Sequence, residues 1–209
     1  KRQDSYRPSA EQIGRRSLVH TALSLLVESD PEWLITARNM YYAATNLSDR
    51  LCAARLVVHQ GDDVHRAEVL EHFFDRWQSE NLVVNQWFVM QATRPSADCV
   101  SEVTALTHHA AFEWRNPNKV RSLISAFAGA NPTAFHALDG GGYRLLGDAV
   151  RRLQSDNPQI AARMLAPMTR WRRYDHGQAV MRDELESIAA LNGLSQDVYE
   201  VVNRSLSDS

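Results

Sequence analysis

Residues 116–175 read NPNKVRSLISAFAGANPTAFHALDGGGYRLLGDAVRRLQSDNPQIAARMLAPMTRWRRYD, and three Asn-Pro pairs punctuate the run, at Asn116-Pro117, Asn131-Pro132 and Asn157-Pro158. Asn is a strong helix N-cap because its side-chain oxygen accepts an amide that the first turn leaves unpaired. Proline suits the first helical position, where its missing N–H costs nothing and its fixed φ is already helical. Each pair therefore predicts a helix start. Between the second and third lies Leu138-Asp139-Gly140-Gly141-Gly142-Tyr143, a turn whose glycines predict positive φ and close backbone approach. Arg121 and Arg163 stand early in the first and third of these helices, and what they face is the functional question of the stretch.

The helical period continues on both sides. Leu18, Ala22 and Leu25 predict one stripe of a first helix that begins near Ser9, and Leu47, Leu51, Ala54 and Val58 predict another. Leu70, Phe73, Phe74 and Trp77 form a stripe with an aromatic end, and Val120, Leu123, Ile124 and Phe127 repeat its spacing. Met181, Leu185 and Ile188 make a later stripe, and Val198, Val201 and Val202 make a last one behind Ser195 as cap. No stretch alternates as a strand would. Breakers such as Asp30-Pro31, Gln60-Gly61-Asp62 and Asn192-Gly193 separate helices of similar length, and short links favour antiparallel neighbours. The expectation is an all-α chain, a solenoid-like stack of helical pairs in a single domain over residues 1–209. Self-similarity is too weak to name a repeat type from its period.

Bulk properties narrow the function classes. A net charge of −2 over 209 residues, with 23% charged, argues against a general nucleic-acid binder, which carries a basic excess. Two cysteines, Cys52 and Cys99, are too few for a disulfide framework or a multi-cysteine zinc module. No apolar run approaches the roughly 18 residues that span a bilayer. The chain opens Lys1-Arg2-Gln3-Asp4, without an initiator Met or an apolar signal core, which suggests a piece of a longer polypeptide.

Sites with chemistry of their own are scarce. His65, Glu68 and His72 share one helical face, but Asp75 and Arg76 continue it, so a solvated polar face is favoured over a metal site. No His is followed by Glu, which removes the two-histidine zinc motif, and there is no Gly-x-Ser-x-Gly elbow. His108-His109 reads as a helix end. Gly140-Gly141-Gly142 lacks the preceding strand and following Lys-Ser/Thr of a phosphate loop. Arg170-Trp171-Arg172-Arg173-Tyr174 interleaves cations with aromatics as nucleic-acid surfaces do. The plain alternative is that these arginines pair with acidic helices or with another domain, and anchoring to a missing domain or binding a carboxylate is more economical than nucleic acid.

The run NPNKVRSLISAFAGANPTAFHALDGGGY, with NLVVNQWFVMQAT at 81–93, NPQIAARMLAP at 157–167 and RYD at 173–175, resembles the C-terminal domain of bacterial aminopeptidase N, a family of zinc-dependent alanyl aminopeptidases. The resemblance covers about residues 37–206. It implies a superhelical array of antiparallel helical pairs, a HEAT/armadillo-like α-solenoid, set against a catalytic domain and covering its active site. In that family zinc is held by two His and a Glu from a His-Glu-x-x-His segment and the next helix, and a Gly-Ala-Met-Glu-Asn loop takes the peptide amine. Neither motif is in this sequence. The resemblance thus implies no catalytic or metal residue here, zinc only in the full-length enzyme, and a cytoplasmic, bacterial fragment that is inactive alone. Its partners would be the catalytic domain of the same polypeptide and the peptide substrate, with no nucleic acid and no membrane. Arg121 and Arg163 match arginines that the family presents toward the substrate cavity, where a guanidinium can pair bidentately with a carboxylate. The residues alone favour an ordinary intradomain ion pair; the resemblance turns both toward the cavity. Lys119 stands where an Arg can occur, which leaves its role open. The alternative is a stand-alone helical-repeat scaffold that binds a partner protein.

Overall fold

The computed structural model describes residues 6–207, and every regular element among them is helical. Packing divides the chain into two compact units, the first ending at Glu80 and the second beginning at Asn81.

The first unit holds α1 (Ala10–Ser29), α2 (Trp33–Ala43), α3 (Leu47–Gln60) and α4 (Asp63–Trp77). Side chains start three of them: Ser9 accepts from Gln12 N at 3.3 Å, Asn46 from Asp49 N at 2.9 Å and Asp62 from His65 N at 2.8 Å. α3 packs on each of the others, because Cys52, Ala53, Ala54, Leu56, Val57 and Val58 bury it on nearly every side. Of its expected stripe, Ala54 and Val58 are buried, while Leu47 in the first turn stays exposed. In α4, Phe73 is fully buried and Leu70, Phe74 and Trp77 are half-buried beside it.

Two expectations fail in this unit. Leu18, Ala22 and Leu25 do not face the core. Leu18 is 71% and Leu25 65% exposed, and α1 packs through Leu23 and Val27 instead. The helix is apolar on both sides, so periodicity could not say which side its neighbours would take. The polar face of α4 is likewise not wholly solvated. His72 turns inward, its Nδ1 2.7 Å from the hydroxyl of the fully buried Tyr41. His65 is held by Asp62 at 2.7 Å, and Glu68 accepts from Arg38 at 2.7 Å.

The second unit begins with α5 (Asn81–Ala92) and α6 (Cys99–Leu106). A helix broken by a π turn comes next, as α7 (Pro117–Val120), the π segment Arg121–Ser125 and α8 (Ala126–Ala130). Then come α9 (Pro132–Phe135), α10 (Gly141–Leu153), α11 (Pro158–Met164), a 3-10 turn (Met168–Arg173), α12 (Gln178–Ala189) and α13 (Gln196–Ser207). All three Asn-Pro starts form as read. Asn116 accepts from the amides of Asn118 and Lys119, Asn131 from Ala134 and Asn157 from Ile160, with proline in each first turn. The stripes Val120-Leu123-Ile124-Phe127 and Met181-Leu185-Ile188 are buried throughout, as are Val198 and Val202.

Single residues fix the joints between these helices. Asn131, 1% exposed, also donates Nδ2 to Ala92 O at 3.0 Å and Arg94 O at 2.7 Å, tying the end of α5 to the start of α9. Gly140 takes a left-handed φ of 67°, and a Cβ on Gly142 would lie 2.5 Å from Phe135 O, so α10 can cross α9 only through glycine. Ser195 does not cap as expected. Its carbonyl opens α13 by accepting from Tyr199 N, but its buried hydroxyl has no hydrogen-bond partner among the described residues. No helix among the described residues is long and apolar enough to cross a membrane.

Candidate functional site

Arg121 is the first residue of the π turn, and its side chain is exposed. A π turn widens the helix by one residue and is a common feature of functional helices. Here it lets three consecutive residues, Ser122, Leu123 and Ile124, enter the core while Arg121 stays outside. The guanidinium is tethered along its own helix, Nη2 donating to Asn118 Oδ1 at 2.7 Å and Nε to Pro117 O at 3.3 Å. Arg163, in the last turn of α11, is exposed and makes no side-chain hydrogen bond or ion pair with any described residue. Neither arginine meets a carboxylate among the described residues, so the intradomain ion pair is not formed there. They stand in different neighbourhoods: the π turn packs on α5, and α11 packs on α10 and α13.

Lys119, one turn before Ser122, is 4% exposed. Its ammonium sits 5.5 Å over the Phe88 ring, and no acid among the described residues accompanies it. Burial pushes its pKa below the ordinary lysine value. Phe88 belongs to an aromatic group with Trp87, His109 and Phe112, which leaves the cation a π face and little water.

The basic run divides by role. Arg172 and Trp171 serve the fold: Arg172 donates to Ser205 O and, at 3.1 Å, to Leu206 O, and Trp171 Nε1 donates to Ser205 O at 3.3 Å. They satisfy the carbonyls that the end of α13 leaves free. Arg151 pairs with Glu184 at 2.6 Å, Arg182 with Glu186 at 2.7 Å, and Arg152 lies 4.7 Å over Trp114. Arg151 and Arg182 thus pair with acids of α12, while Arg152 meets an aromatic ring. Arg170 is different: it is exposed and has no partner among the described residues.

Arg170 lines a cavity of about 330 Å³ with Gly129, Pro132, His136, Pro167 and Tyr174. His136 is fixed on two sides: its Nδ1 lies 2.9 Å from Tyr143 Oη, and its ring stacks on Tyr174 with centroids 4.3 Å apart. Burial lowers its pKa. Tyr143 is seated under Gly177, where any Cβ would fall 2.4 Å from the phenol oxygen. Sequence reasoning misses this pocket. His136 and Tyr174 both lie inside the stretch 116–175, but nothing in their spacing of 38 residues says that the rings stack.

No group of three or more His, Cys, Asp or Glu among the described residues converges as a metal site. His65 and His72 are engaged with Asp62 and Tyr41, so the zinc that the resemblance implies does not fit this chain's own side chains. Both thiols are buried, and burial raises the pKa of Cys99 to about 11, which makes it a poor nucleophile.

Fold and surface thus define a helical-repeat protein that presents Arg121, Arg163 and Arg170 without an acid beside them among its described residues. Residues 1–207 match the family described as a domain of unknown function (DUF3458_C) with ARM repeats, and the chain belongs to that family. It is 37% identical to aminopeptidase N of Escherichia coli over 206 residues, 98% of this chain and 24% of that protein. Against aminopeptidase N of Caulobacter vibrioides it is 38% identical over 200 residues, 94% of this chain and 23% of that protein. These similarities fall in the C-terminal region of the relatives. The crystal structure of Legionella pneumophila aminopeptidase A in complex with aspartic acid superposes with a TM-score of 0.89 at 28% identity, over 99% of this chain and 25% of that one. The chain spans about a quarter of the length of the relatives it matches.

Proposed function

We propose that this chain is the non-catalytic C-terminal domain of a cytoplasmic zinc metalloaminopeptidase that removes N-terminal residues from peptides. It packs on the catalytic domain of the same polypeptide, covers the active site and lines the substrate cavity with Arg121 and Arg163. The observation that carries the reading is the match of nearly the whole chain to one quarter of aminopeptidase N. Two features support it. The outer face of α1 exposes Leu18 and Leu25, an apolar surface suited to burial against another domain. Arg121 and Arg163 keep their charge unpaired by acid among the described residues, as a group awaiting a peptide carboxylate must. Zinc and the general base belong to the rest of the polypeptide.

The reading frame ahead of Lys1 tests the domain assignment. It should encode Gly-Ala-Met-Glu-Asn and His-Glu-x-x-His, and a frame with neither motif would leave a stand-alone scaffold instead. The arginines are tested in the polypeptide that carries the catalytic domain. Arg121→Ala and Arg163→Ala should each lower kcat/KM for short peptides about tenfold, the loss of one charge-assisted pair. Turnover of a single-residue amide reporter, which brings no carboxylate, should change little. Equal loss on both substrates would make the arginines structural.

A further inference from the structure

We propose that the cavity walled by His136, Arg170 and Tyr174 is a second recognition site, which binds the C-terminal carboxylate of a small peptide. The site stands on the cavity alone and does not require the aminopeptidase reading. Its volume of about 330 Å³ is at the low end of ligand pockets and suits a ligand of one or two residues. The side chains are built for the purpose. Arg170 offers a fork of N–H donors with nothing else to bind among the described residues, while its neighbours Trp171 and Arg172 are spent on α13. His136 cannot turn away, because Tyr143 holds Nδ1 and Tyr174 stacks on the ring. When the phenol donates to Nδ1, the imidazole proton sits on Nε2, the nitrogen left without a partner among the described residues and free to donate to a carboxylate.

Charge selects among anions. Burial keeps His136 neutral near neutral pH, so the pocket carries the single positive charge of Arg170. That matches a monoanionic carboxylate better than a dianionic phosphate. Pro132 and Pro167 form rigid apolar walls for a short side chain, since each ring has a fixed φ. No acid among the described residues lines the cavity to receive an ammonium, which favours the end of a peptide over a free amino acid.

The test is a titration of the ¹⁵N-labelled 209-residue chain, monitored at the His136 ring nitrogens near neutral pH. N-acetyl-L-alanine should shift Nε2 saturably. Its neutral amide, inorganic phosphate and free L-alanine should each bind about tenfold more weakly. Arg170→Gln should lower affinity for N-acetyl-L-alanine about tenfold without moving the melting temperature, and Arg170→Lys should keep part of it, since Lys retains the charge but not the fork. The proposal is overturned if acid and amide bind alike, if phosphate or free alanine binds more tightly, or if Arg170→Gln changes nothing. The comparison of acid with amide uses the unaltered chain, so it does not depend on any variant folding.

Discussion

Lys119 carries a cost that its neighbours do not repay. A buried ammonium facing one aromatic ring gains a cation–π contact worth about 0.5–2 kcal/mol. It forgoes hydration without an acid in return. Replacing such a group by an apolar side chain of similar length is often stabilising. Lys119→Met should therefore raise stability by about 1 kcal/mol in urea unfolding near neutral pH. The sign of the pH dependence comes from the lowered pKa. Above the folded pKa and below the ordinary 10.5, the unfolded chain binds the extra proton, so native stability rises with pH across that window. The advantage of the Met variant should shrink accordingly as pH is raised, and a constant advantage would show that burial of the charge is not the cause. Arg121 and Arg163 present the opposite case, exposed cations whose removal should cost the fold little.

At the scale of elements, the Asn-Pro device does more than start helices. Asn131 caps α9 through Oδ1 and joins α9 to α5 through Nδ2, with the bonds to Ala134 N and Ala92 O buried and that to Arg94 O part-buried. Asn131→Ala loses the cap and takes the amide donor from two carbonyls, one buried and one part-buried, at a combined cost of about 2–4 kcal/mol. Asn131→Asp separates the two roles, since a carboxylate caps as well but cannot donate to Ala92 O or Arg94 O. Thermal melts should rank Asp no better than Ala. An Asp variant close to the parent would mean that the cap alone matters. The π turn belongs to this scale too. It was not legible, because Val120, Leu123, Ile124 and Phe127 keep perfect helical spacing in sequence. The extra residue shows only in the run of buried side chains from Ser122 to Ile124.

Across the whole molecule, the question is which surfaces the chain leaves open. α1 spends Leu23 and Val27 on its neighbours and leaves Leu18, Val19 and Leu25 outside. An exposed apolar stripe invites association. In sedimentation velocity the 209-residue chain should self-associate with rising concentration. Leu18→Ser with Leu25→Ser should suppress this while changing stability by no more than about 0.5 kcal/mol, because side chains so exposed have little native packing to lose. Unchanged association would place the sticky surface elsewhere.

What the sequence by itself determined is local. Helix starts arise from Asn and Pro within one turn of backbone, and the buried stripes of the second unit come from a period that needs no partner to be read. Gly140 before α10 and Gly142 in its first turn are legible for the same reason, since φ and Cβ are properties of single residues. Tertiary structure decided the rest. It chose which apolar side of α1 to bury, turned His72 inward to Tyr41, left the Ser195 hydroxyl without a partner among the described residues and brought His136 against Tyr174. Each of these depends on what another helix places opposite, and chemistry so far apart in sequence leaves no periodic trace.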